Sequence, residues 1–159
     1  MPDMYNFIFK ELQILSMHFE LKTDKIYKNT KNILISSTLN LRHDIIKDDK
    51  HLRVFMKLDI CGEDLPFSLN IEVGGLFVFS VKLKIGQPLE KIANINCAAI
   101  MFPYLRETVS DITRRANLPP LYLPPMNFVE LYNNKLAGKK RKNSTAEINK
   151  KISHTKVNN

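Results

Sequence analysis

Between residues 118 and 126, four prolines are interleaved with five large apolar side chains. Leu118, Leu121, Tyr122, Leu123 and Met126 stand among Pro119, Pro120, Pro124 and Pro125. Proline fixes φ and has no N–H, so this segment cannot continue a helix or enter a central strand. Connecting segments usually run over the surface and are polar, because water must satisfy their backbone groups. An extended connection this apolar has two places to go. It lies on the chain's own core, or it walls a groove that receives something apolar. On the second reading Leu121, Tyr122, Leu123 and Met126 line the groove, and such grooves mark binding sites. Tyrosine and methionine suit varied targets, since they offer area without demanding one hydrogen-bond geometry.

Upstream of the linker the pattern is that of strands. Tyr5, Phe7 and Phe9 share one parity, Leu12 and Ile14 the other, and Leu15, Met17, Phe19 and Leu21 the first again. This predicts a long strand over 4–22 with a bulge near Glu11–Gln13 that re-aims the side chains. Residues 32–46 and 52–60 alternate cleanly, and Gly62-Glu63-Asp64 reads as a hairpin turn before a fourth strand over 66–80. Gly74-Gly75 inside that strand marks a bulge or a close backbone approach. Short connections make these strands antiparallel, so one face of the sheet needs a cover.

The cover is predicted from the second half. Gln87 to Asn117 turns helical, with Leu105, Val109, Ile112 and Ala116 as its apolar stripe. Pro103 either opens this helix or kinks a longer one. Asn117 suits a left-handed C-terminal position, and Asn127, with Glu130 three residues on, suits the cap of a second helix running to about Leu136. The sum is an α+β chain: a four-stranded antiparallel sheet followed by two helices, as one domain over 1–137. Residues 138–159 carry seven basic side chains and one acid, while the other 137 residues carry 17 basic and 15 acidic ones. The formal charge of +8 therefore sits mostly in this tail, which has too few large apolar side chains to order itself and is expected to be disordered. A tail-borne nucleic-acid or anionic-surface contact is one reading of it, and a solvated tail is the other.

Chemistry-bearing constellations are sparse. His18, His43, His51 and His154 are isolated from one another, and two cysteines, Cys61 and Cys97, are too few and too far apart for a zinc site or a disulfide framework. Gly74-Gly75 lacks the Lys-Ser/Thr ending and following helix of a phosphate loop. Neither an enzyme nor a cofactor nor a metal is expected. No apolar run reaches the ~20 residues of a membrane span, and the N-terminus does not read as a secretory signal, so a cytoplasmic location is expected.

Three stretches resemble the SecB family of bacterial export chaperones. They are Phe102-Pro103-Tyr104-Leu105-Arg106-Glu107, the run from Asn117 to Phe128, and Gly74-Gly75-Leu76-Phe77. The likeness spans roughly residues 7–136. It implies a homotetramer built as a dimer of dimers, and ATP-independent holding of unfolded precursor polypeptides for export. Carried onto this chain, the client groove involves Leu121, Tyr122, Leu123, Met126 and Phe128, with Ile26 and Tyr27 from the crossover between the first two strands. The family engages the translocase motor SecA through acidic sheet positions. Here those positions hold Ser16, Glu20 and Asn70, so only one keeps its charge. The resemblance also leaves room for a SecB-like chaperone dedicated to one partner, such as an antitoxin.

Overall fold

A computed structural model describes residues 6–25, 35–46 and 48–140. The chain falls into two compact units, Met1–Pro125 and Met126–Asn159. The first holds four strands, β1 (Phe7–Leu21), β2 (Ser36–Ile46), β3 (His51–Cys61) and β4 (Phe67–Phe79). They form one sheet in the order β1-β4-β3-β2 with every neighbouring pair antiparallel.

The parity changes in β1 have a structural cause. Phe9 pairs with Phe77 and Glu11 with Leu76, then Ile14 pairs with Val73 and Ser16 with Glu72. Lys10 and Leu15 are thus the extra residues of two bulges, which flank the single irregularity predicted at 11–13. Each bulge flips the strand by one residue. The result is that Phe7, Phe9, Leu12, Ile14, Met17, Phe19 and Leu21 all face the same side as Phe77, Val73 and Leu69. Leu15 is turned to the opposite side, where it lies against Gly74.

The covered side of the sheet is the core. Leu52, Val54, Met56, Leu58 and Ile60 of β3 are at most 2% exposed, as are Leu69, Ile71, Val73 and Phe77 of β4. The cover is a helix in three stretches: α1 (Gln87–Lys91), a π-helical stretch (Ile92–Cys97) and α2 (Ala98–Arg115). Leu89, Ala93, Cys97, Met101, Leu105, Val109 and Thr113 are all buried, at a constant spacing of four. A 3.6-residue helix drifts off such a spacing, and the wider π turn absorbs part of the drift. Asn94, buried inside that turn, donates from Nδ2 to the Glu90 carbonyl at 2.7 Å. Pro103 lies inside α2 and so does not open it. The observed stripe departs from the predicted one. Ile112 and Ala116 are only half-buried, and Thr113 is the buried residue instead.

At Gly75 helix and sheet approach each other closely. A Cβ at that position would lie 2.7 Å from Met101 Sδ and 3.1 Å from Phe77 Cε2. The glycine pair therefore serves a close approach; both residues keep regular partners in β1 and β3. Phe9 of β1 meets Tyr104 of α2 nearby, ring centroids 5.7 Å apart.

α2 ends as its sequence predicts. Asn117 has φ 58°, its N–H donates to the Arg114 carbonyl at 3.0 Å, and the Leu118 N–H donates to the Thr113 carbonyl at 3.1 Å. These are the two bonds of a Schellman cap. In the second unit residues 128–140 form α3. The Glu130 N–H donates to Asn127 Oδ1 at 3.2 Å, which is the predicted cap. α3 continues through 138–140, past the end expected near Leu136, and the rest of the basic tail, 141–159, lies outside the described residues.

Cys97 is fully buried, and loss of water pushes its thiol up to about 12, whereas Cys61 is exposed. A pKa raised in the folded state contributes stability below the unfolded value, lost as pH rises through the window up to the folded one. Stability measured by urea unfolding should therefore fall above about pH 9 as the unfolded thiolate forms. In native protein one thiol should react rapidly with an aromatic disulfide reagent and the second only in denaturant. The substitution Gly75→Ala should cost about 1–3 kcal/mol in the same urea assay, because the buried Met101 and Phe77 side chains would have to shift to admit the new methyl.

Candidate functional site

The linker is fixed by one buried hydroxyl. Thr113 Oγ1 donates back to the Val109 carbonyl at 2.9 Å and accepts the Leu121 N–H at 3.0 Å. The residue is 0% exposed, so its bond to Val109 is made away from water and that to Leu121 is partly shielded. A buried threonine is tolerated in a helix when its hydroxyl is paired this way. The consequence is positional. Leu121 is held half-buried against the end of α2, Leu123 is buried at 6% exposure, and Tyr122 between them is turned out at 73% exposure.

Beside Tyr122 lies a cleft of about 480 Å³. Ile14 of β1 supplies one wall, Glu107, Thr108, Ser110, Asp111 and Arg114 of α2 another, and Pro120 and Tyr122 of the linker the third. Ile14 is 50% exposed and Met17, next on the same face of β1, is 44% exposed. An apolar strip from the linker onto an edge strand is thus open to solvent. Its rim is charged. Asp111 accepts from Arg114 at 2.5 Å and from Arg115 Nε at 2.6 Å, and these bonds, Arg115 foremost, hold its carboxyl below the usual range. The same contact pushes Arg115 up. All three are surface groups, so the pairs orient side chains more than they stabilise the fold.

Of the residues singled out from sequence, Tyr122 sits in the cleft wall and Leu121 is anchored beside it. Leu123 is buried. In the second unit Met126 is half-buried and Phe128 is buried. Ile26 and Tyr27 lie outside the described residues. Ile14, Met17 and Thr113 were not singled out. The first two carry only a strand pattern, and the signal for Thr113 is a lone polar residue at a position where the spacing of four demands an apolar one.

The other face of the sheet brings Ser16, Glu20 and Asn70 together. Ser16 lies opposite Glu72, His18 opposite Asn70, and Glu20 opposite Ser68. Glu72, Asp44 and Asp59 on this face are engaged by the chain itself. Arg42 stacks on the Phe55 ring at 3.5 Å and reaches Glu72 at 3.1 Å and Asp44 at 3.3 Å. Asn70 Nδ2 donates to Asp59. Arg53 donates to Gln13 at 3.4 Å.

The family model described as preprotein translocase subunit SecB matches residues 5–139. This chain belongs to the SecB family. The protein-export protein SecB of Dichelobacter nodosus is 27% identical over 126 residues, 77% of this chain and 79% of that protein. That of Chromobacterium violaceum is 43% identical over 61 residues, 38% of this chain and 41% of that protein. The matched segment thus spans well under half of the Chromobacterium relative. Among solved structures, the SecB-like chaperone of Mycobacterium tuberculosis, in complex with a peptide from an antitoxin, superposes with a TM-score of 0.56 at 20% identity. It covers 76% of this chain and 90% of that one, and shows that the fold is shared. SecB is a family of protein-export chaperones, and no helix among the described residues is long and apolar enough to cross a membrane.

The Thr113 bond is checked by Thr113→Val, which keeps the shape and leaves the Leu121 N–H unpaired. Thermal unfolding should show a loss of about 1–3 kcal/mol, with the Leu121 amide exchanging faster than its neighbours.

Proposed function

We propose that this chain is an ATP-independent chaperone that holds unfolded precursor polypeptides for export. The observation that carries the reading is Tyr122, a large aromatic side chain 73% exposed above a cleft whose opposite wall is Ile14. An unfolded client presents apolar side chains with no common order, so its recognition must rest on generic burial of area, at about 25 cal/mol per Å². Ile14, Met17, Pro120 and Tyr122 supply such a surface, with Leu121 and Leu123 as its framework and Ile26 and Tyr27 as candidates to extend it; the second unit offers Met126 and Phe128 as client-binding residues of its own. Weak single contacts gain strength by repetition, which favours a homotetramer arranged as a dimer of dimers. The setting is the cytoplasm, and neither a cofactor nor a catalytic residue takes part.

The translocase motor SecA is assigned to the face bearing Ser16, Glu20 and Asn70. Glu20 there carries charge, Ser16 and Asn70 do not, and Arg42 neutralises Glu72. That weak acidity favours a second reading, a chaperone dedicated to a single partner such as an antitoxin. Capture of one polypeptide in place of many from the same cell would select it.

Light scattering of a denatured protein during dilution tests the first reading. Stoichiometric chain should suppress aggregation, and scattering that ignores the chain would reject holding. Tyr122→Asp should weaken client affinity about tenfold or more with unfolding midpoints unchanged, since the side chain is exposed and the new charge opposes apolar contact. Unchanged affinity would remove Tyr122 from the client surface.

A further inference from the structure

A second apolar feature stands at the corner where β4 leaves the sheet for α1. Residues 80–86 make the connection, and backbone bonds fix it. The Ser80 N–H donates to the Asn6 carbonyl at 3.0 Å and the Leu83 N–H to the Asp49 carbonyl at 2.5 Å. The Leu83 side chain is buried at 5% exposure, and this anchor turns its neighbours outward. Ile85 is 93% exposed and Val81 47%. Lys82 and Lys84 alternate with them and are exposed. Lys50, also exposed, adjoins the loop, its carbonyl accepting the Phe79 N–H at 2.9 Å. Two acids share the corner, Asp48, bonded to His51 at 2.6 Å, and Asp49, so the three lysines leave it with a net positive charge.

The form of this corner selects its occupant. A side chain 93% exposed has no walls beside it, so the tip offers no furrow for an extended peptide. A bilayer interface needs none. It accepts a protruding isoleucine among the headgroups, and its phosphates attract lysines whose stems stay apolar. We propose that the 80–86 corner docks the chain on a bilayer surface bearing anionic phospholipid. Ile85 and Val81 enter the headgroup layer, and Lys50, Lys82 and Lys84 meet its phosphates. The proposal is independent of the cleft beside Tyr122.

The basic tail also attracts anionic vesicles, so co-sedimentation alone does not locate the contact. The chain has no tryptophan, which makes Ile85→Trp in the full-length protein a local reporter. Its fluorescence should shift to the blue on adding vesicles of phosphatidylcholine with phosphatidylglycerol, and stay put with phosphatidylcholine alone. Lys82→Gln and Lys84→Gln should each lower vesicle partitioning about fivefold, the loss expected for one lysine near an anionic surface. An indole that stays unshifted while the protein co-sediments would place the contact on the tail and overturn the proposal. A shift produced by an acidic polypeptide and not by vesicles would overturn it equally, and so would inorganic phosphate abolishing the shift at an ionic strength where sodium chloride does not. Aggregation suppression by Ile85→Trp should match the parent chain, so the two functional readings stand or fall separately.

Discussion

Everything the chain offers to solvent near the linker depends on how closely α2 sits on the sheet. That distance is set at Gly75, where the absence of a side chain lets Met101 rest on the strand backbone. From this seat α2 carries Thr113 to a fixed height, and Thr113 in turn ties down Leu121. Tyr122 is exposed because the residues on both sides of it are held.

The two faces of the sheet have opposite relations to charge. The covered face is apolar on β3 and β4, and it opens to solvent along β1 at Ile14 and Met17. The other face mixes both signs, and its charges satisfy one another across strands: Arg42 links β2 to Glu72 on β4 while lying over Phe55 on β3. Cross-strand pairing of this kind needs correct register, because a slip of one residue would bring these groups to the core.

Sequence patterns conveyed the sheet, the caps at Asn117 and Asn127, and, as one of two alternatives, the close approach at the glycine pair. Each of these is a local property, carried by parity or by the φ preference of one residue. Two parity changes in β1 stood in the sequence, although one bulge was inferred where there are two, at Lys10 and Leu15. What stayed hidden depends on neighbours distant in the chain. Ile14 and Met17 look like ordinary strand residues until the order β1-β4-β3-β2 puts them at an edge. Thr113 looks like a polar-face residue until its hydroxyl finds Leu121, and the π-helical stretch, which shifts the stripe, leaves no signature in propensity. Leu123 reads the same as Tyr122 in the linker pattern, yet one faces in and the other out, as alternation in an extended segment requires.

The four prolines that bracket the linker also shape the thermodynamics of whatever meets it. Their fixed φ leaves the free segment few backbone states, and the cap at Asn117 with the anchor at Leu121 removes more. A polypeptide arriving at Tyr122 therefore finds a host that has little disorder left to surrender. The entropy lost in the encounter falls on the visitor, and differences in affinity between visitors will track their own stiffness and the grease they can cover.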